Sequence, residues 1–219
     1  MTETTKPIHV RFNIQNLKWA LLENGKYGAP QKYGTSKKIE IEADASVKKI
    51  YGDGKRIASI MNDKGKTAKW TTNNVSDAFE IAMGRKIRIK QGVASIKQQE
   101  IKTFAFYFET SGLDEDNKMP LAKTWVFGAT STVAPSEAYE QTTDEVNETQ
   151  YETVIEIAGV ELKNQDGSIY RNERTGQEVR VWELSSFPDC DGYETFGNEV
   201  PTPTFEEVGG DMSEGSGNA

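Results

Sequence analysis

Thr103-Phe104-Ala105-Phe106-Tyr107-Phe108-Glu109-Thr110 is the stretch on which the fold turns. Its residues are mostly aromatic or β-branched, and a strand's period of two sorts them. Phe104, Phe106 and Phe108 share one face, and Ala105 and Tyr107 share the other. The same period extends outward in both directions. Lys86, Arg88 and Lys90 alternate with Ile87 and Ile89, and Leu121 to Thr132 carries Trp125 and Phe127. In Tyr151 to Val160, Thr153, Ile155 and Ile157 fall on one face and Glu152 and Glu156 on a polar one. Towards the N-terminus, Ile8 to Ile14 alternates strictly and Leu17 to Leu22 is an apolar run with Trp19. Glu23-Asn24-Gly25-Lys26 is a turn. Ile39 and Ile41 alternate with Lys38, Glu40 and Glu42, and Val47 to Tyr51 is a further strand. Gly52-Asp53-Gly54 turns the chain back along Lys55 to Met61. Asp63-Lys64-Gly65 marks another turn before Ala68, Trp70 and Thr72 alternate with Lys69 and Thr71.

One segment departs from this period. Val75, Phe79, Ala82 and Met83 have helical spacing, Asn74 or Ser76 offers a cap, and Gly84 a stop. A single short helix over about 75–83 is expected in a mainly β chain. The texture changes again after Glu161. Asn164-Gln165-Asp166-Gly167 is a turn, Glu178 to Leu184 can pair as a strand, and Pro, Gly, Glu and Thr dominate from Phe187. The expected organisation is a β domain over 1–160 with a hairpin or long loop near 45–70. Residues 161–219 follow as a C-terminal extension or arm, disordered at its end.

Composition narrows the chemistry. Of 219 residues, 36% are hydrophobic and 27% charged, so the core is modest, and either part of the chain is irregular or part stays exposed until a partner covers it. No apolar run approaches the roughly 20 residues of a membrane span. Met1 to Pro7 is polar and unlike a signal peptide, so synthesis in a cytoplasm is expected. Cys190 is the only cysteine, which rules out an intrachain disulfide, and His9 is the only histidine. Histidine-dependent nucleophilic catalysis would have to use His9, which falls on the polar face of a strand. Zinc sites built on several His or Cys ligands are excluded. Gly65-Lys66-Thr67 lacks the earlier glycine of a phosphate loop, since Ile60 stands there. Asp114-Glu115-Asp116 is followed by Lys118 where a calcium loop needs a ligand. No enzyme, cofactor or metal site is expected.

Charge is divided along the chain. Up to Ala129 there are 22 basic and 14 acidic residues, and from Thr130 onward 4 and 20, giving +8 and -16. Such a chain can attract a copy of itself head to tail, or it is a basic domain with a solvated acidic tail. Lys37, Lys38, Lys48, Lys49, Lys55, Lys64, Lys66 and Lys69 cluster around the expected hairpins. Solvent-facing lysines that discourage stray edge pairing, or a protein interface, account for them better than phosphate binding does.

The order of these pieces resembles the major tail proteins of long-tailed bacteriophages. Ile14-Gln15-Asn16-Leu17-Lys18-Trp19-Ala20-Leu21-Leu22 is similar to that family's first strand, and Tyr27-Gly28-Ala29-Pro30 to its Tyr-Gly-Thr-Pro. Ile50-Tyr51-Gly52-Asp53-Gly54 resembles its Leu-Tyr-Ala-Asp-Asp/Gly turn, with glycine for alanine. The helix ending at Met83-Gly84 resembles its Leu-Leu-Gly element. Phe104 to Glu109 and Trp125 to Ala129 look like its two later strands. The likeness spans roughly residues 10–160, and the segment after Glu161 lies outside it.

The resemblance implies a tail-tube β-sandwich or barrel with one flanking helix. It implies homo-hexameric rings, stacked into a tube that conducts DNA during ejection without binding it specifically. The implied partners are copies of the chain, the tape measure, the tail terminator and distal tail proteins, within the virion tail and away from any membrane. Lys48, Lys49, Tyr51, Asp53, Lys55 and Arg56 are the inter-ring candidates. Asp114, Glu115, Asp116, Glu152 and Glu156 are the lumen candidates, because tube lumens are generally acidic. Two other readings stay open: a different virion component, such as a decoration or baseplate-proximal tail protein, and a DNA-binding module using the basic half.

Overall fold

A computed structural model of the chain describes residues 10–53, 55–98, 100–113, 121–137 and 149–206. His9, Asp114, Glu115 and Asp116 lie outside the described residues. Among the described residues the chain is mainly β, with one large antiparallel sheet and a single short α-helix. Its strands are β1 (Val10–Glu23), β2 (Lys26–Tyr27), β3 (Gln31–Lys32), β4 (Ser36–Gly52) and β5 (Lys55–Thr72). After helix α1 (Asp77–Ala82) come β6 (Lys86–Ile89), β7 (Gly92–Ser95), β8 (Thr103–Leu113), β9 (Leu121–Thr130), β10 (Ser136–Glu137) and β11 (Tyr151–Ile157). The C-terminal part adds β12 (Val160–Glu161), β13 (Arg180–Val181) and β14 (Glu183–Ser186). The large sheet runs β2-β1-β8-β9-β11-β5-β4.

The phenylalanine stretch lies in β8, an inner strand of this order between β1 and β9. Its two-sided apolar pattern is satisfied because both faces are covered. On one face Leu17, Trp19, Trp70, Phe104, Phe106, Val126 and Ile155 form the main core with Phe79 and Met83 from the helix. Trp70 meets Phe106, Tyr33 and Phe79 at ring separations of 5.0, 5.0 and 5.7 Å. The helix is where the spacing placed it. The Ser76 hydroxyl accepts from the Phe79 amide, and Phe79 plugs the core with no exposure. On the other face Ala20, Ala105, Tyr107, Trp125 and Phe127 form a second core.

That second core shows how the C-terminal extension is held, with its 181–200 part packed on the sheet. Val160, Val181, Leu184, Phe196 and Val200 cover Trp125 and Phe127, and β14 pairs with β9 from Glu183↔Val126 to Ser186↔Lys123. The Trp125 indole donates to the Phe196 carbonyl at 2.8 Å, and Lys18 and Lys123 donate to the carbonyls of Gly197 and Tyr193. Polar composition masked this packing, because five well-spaced apolar residues and main-chain acceptors do the covering.

Two local readings also change. The expected turn at Asp63-Lys64-Gly65 is a β-bulge inside β5. Register passes from Ala43↔Lys66 to Ala45↔Asp63, so Lys64 and Gly65 face Asp44 alone. Gly65 has φ +113°, and a Cβ there would sit 2.5 Å from the Ile157 carbonyl oxygen, so only glycine fits. The strict alternation expected up to Ile14 is broken as well. Asn13 and Asn16 both take φ near 55°, and the β1–β8 register shifts at each. Asparagine tolerates this left-handed conformation, and the Asn16 side-chain amide donates across to Glu109 on β8 at 2.7 Å.

Candidate functional site

The longest elements make the most prominent feature. β4 and β5 stay paired from Ser36↔Thr72 to Gly52↔Lys55. Their inner half joins β11, from Tyr151↔Thr72 to Ile157↔Lys66. Beyond the bulge the hairpin leaves the sheet and runs from Ala45↔Asp63 to its tip, a reach of about 25 Å. The described side chains of this arm are exposed, including Tyr51 at 63% and Ile57 at 71%. A two-stranded ribbon exposed on both faces is marginal alone in water. This arm therefore presents strand edges, aromatic and aliphatic side chains, and charge to whatever meets it.

The inter-ring candidates converge there. Lys48, Lys49, Tyr51, Asp53, Lys55 and Arg56 all lie on the outer arm within the last few register pairs. Tyr51 stands opposite Arg56, and Gly52 opposite Lys55. Asp53 has φ 49°, as the first residue of a tight turn requires. Four cations against one carboxylate make the arm's outer half basic.

The remaining lumen candidates lie elsewhere. Thr153, Ile155 and Ile157 of β11 point into the core, and alternation sends Glu152, Val154 and Glu156 to the opposite face. Register places Glu152 beside Thr71 and Glu156 beside Thr67 on β5, and these stand beside Lys38 and Glu42 on β4. Glu40 belongs to the same face, opposite Lys69. The result is a polar strip with four glutamates. Lys38 contacts Glu40 at 2.6 Å and Lys69 contacts Glu152 at 3.7 Å. The hydrogen bond from Lys38 holds the Glu40 carboxyl below the usual range, so it is charged near neutrality. Glu40 and Glu42 were missing from the sequence-derived set. Their alternation with Ile39 and Ile41 carried the needed signal, but only pairing shows that they share a surface with β11.

Two buried polar groups hold this framework. Arg85 donates to Glu80 through Nε and Nη2, both at 2.8 Å, and through Nη1 to the Ser131 hydroxyl at 2.9 Å. Glu80 is 1% and Arg85 3% exposed, so the pair ties the helix to the end of β9 away from water. Glu109 accepts from the Tyr107 hydroxyl at 2.6 Å and from the Asn16 amide at 2.7 Å. Burial first, and then Glu109, hold the Tyr107 hydroxyl well above the ordinary tyrosine range, so it remains a donor. Each group is bonded to its neighbours as a structural member.

Among the described residues, no group of three His, Cys, Asp or Glu is placed to hold a metal ion. No helix among them is long and apolar enough to cross a membrane. In comparison with known proteins, no family model matches the chain, and no curated protein matches it.

Proposed function

We propose that this chain is the tube subunit of a long-tailed bacteriophage, assembling into stacked, hexameric rings that conduct DNA. The observation that carries the reading is the projecting β4–β5 arm. It exposes Ile50, Tyr51 and Ile57, is basic at its tip, and finds no packing partner among the described residues of its own chain. Such an arm is complete when a neighbouring ring covers it. Repeated contacts between unlike surfaces close into rings or continue as filaments, and a tube combines both. The strip bears Glu40, Glu42, Glu152 and Glu156 against Lys38 and Lys69, and this net negative face disfavours phosphate, as a DNA conduit requires. The tape measure, tail terminator and distal tail proteins are the further partners of such a subunit.

Negative-stain microscopy of the purified full chain tests the reading, with long tubes or stacked rings as the expected result. Particles that stay monomeric at every concentration would overturn it. Reversing Lys48, Lys49 and Lys55 to glutamate should abolish tubes while leaving the melting transition within a few degrees of the parent, because these side chains are exposed and far from both cores. Normal tubes from that variant would remove the arm from the contact. Tight, salt-sensitive binding of duplex DNA to the unassembled chain would instead favour a DNA-binding module.

A further inference from the structure

The arm accounts for one end of the molecule, but a second pair of complementary surfaces lies at the two ends of β9. At the C-terminal end sits the β6–β7 hairpin, a two-stranded sheet separate from the large one. It is anchored through Arg85, which donates to Ser131 and Val133 just past Thr130, and through the Ile96 amide to the Arg85 carbonyl. From Arg85 to Lys102 there are six basic residues and one acidic. Arg85, Lys86 and Lys102 are committed to Glu80, Asp77 and Glu100. Arg88, Lys90 and Lys97 are exposed and make no ion pair with a described residue. Ile87 and Ile89, 47% and 46% exposed, alternate with Arg88 and lie on the opposite face of β6.

At the other end of β9 the chain is acidic. Tyr193 donates to the Leu121 carbonyl at 2.7 Å, and Lys123 binds the Tyr193 carbonyl at 2.8 Å. The turn held there carries Asp189, Asp191 and Glu194, all exposed. Between Val181 and Glu206 there are six acidic residues and no lysine, arginine or histidine. Ten residues of β9 separate the two surfaces, about 30 Å, so they cannot meet within one chain. The arm projects towards the acidic end too, since β5 and β9 both pair with β11, and β9 runs back towards Leu121 in the arm's direction.

We infer that the β6–β7 hairpin of one copy docks against the Asp189–Glu194 turn of a second copy, as a head-to-tail contact distinct from the arm. The inference rests on the self-assembly reading and specifies a further pair of meeting surfaces. The occupant is a second copy because the charges are opposite and the two surfaces lie at opposite ends of β9 on one subunit. The surfaces are unlike, so the contact repeats without being used up.

The single cysteine provides a direct test. Cys190 is exposed and stands between Asp189 and Asp191, and Gln91 is at the β6–β7 turn. In the full chain carrying Gln91→Cys, an intrachain disulfide is out of reach, because bridged Cα atoms lie within about 7 Å. Mild oxidation of assembled protein should give a ladder of dimers and higher multiples on a non-reducing gel, lost when Cys190→Ser is added. Reversing Arg88, Lys90 and Lys97 to glutamate should lower the assembled fraction at least tenfold. Adding Asp189→Lys, Asp191→Lys and Glu194→Lys to that chain should restore it, which also guards against a folding defect. Tubes without a ladder, or tubes unaffected by the reversal, overturn this contact and leave the tube reading standing. If the unaltered chain forms no assembly, both fall.

Discussion

A chain ending at Val160 should not fold to a soluble, cooperative unit. The sequence pattern divides the molecule there, but the second core does not. Truncation removes Val181, Leu184, Phe196 and Val200 from the face that carries Tyr107, Trp125 and Phe127, which are all fully buried in the whole chain. Each covering side chain contributes about 1.5–3 kcal/mol when fully buried. These are only partly buried, so their sum is of the order of 5 kcal/mol, on the scale of a domain's entire net stability. The cut also strips β14 from β9 and leaves the Trp125 indole without its Phe196 acceptor. The expected outcome is inclusion-body expression, or a product with dye-binding apolar surface and no sharp melting transition. A soluble 1–160 chain melting within a few degrees of the parent would show that the C-terminal segment is an ornament. Phe196→Ala in the full chain should cost about 2 kcal/mol, towards the low end for large-to-small changes because Phe196 is only half-buried.

The same face explains what could be read before the structure and what could not. Period two identified the strands because alternation is local, and helical spacing with a serine cap identified α1 for the same reason. The inter-ring candidates held together because a two-residue turn places its flanks side by side. The acidic strip was half legible: Glu152 and Glu156 stood out on β11, whereas Glu40 and Glu42 join them only through the β4–β5–β11 pairing, across more than 100 residues. The bulge at Gly65 read as a turn because glycine beside Asp and Lys serves both purposes. Only its close approach to the Ile157 carbonyl distinguishes them. The C-terminal cover was hidden most deeply. Leu184, Phe196 and Val200 belong to no single strand or helix, and main-chain carbonyls accept the hydrogen bonds from Lys18 and Trp125, which no side-chain pattern reports.

Removing one member of the Glu80–Arg85 pair should produce the largest loss from a single substitution. Both groups are almost wholly buried, and the guanidinium is satisfied on three sides by Glu80, Ser131 and the Val133 carbonyl. Glu80→Met leaves a cation without its counter-ion in a site closed to water, and such breakage costs about 3–5 kcal/mol. Helix α1 spans only six residues, so it depends on this tether and on Phe79 rather than on its own hydrogen bonds. The loss should appear as a lower urea midpoint at unchanged slope. Glu80→Met combined with Arg85→Met should recover much of it, because an apolar pair removes the stranded charge. The double variant must still surrender the bonds to Ser131 and Val133, which hold β6–β7 at the end of β9. It should therefore regain stability while its assembled fraction stays low. A double variant that is restored in both respects would show that the hairpin's position does not depend on Arg85. One restored in neither would show that the guanidinium's contacts with Ser131 and Val133, and not its pairing with Glu80, carry the stability.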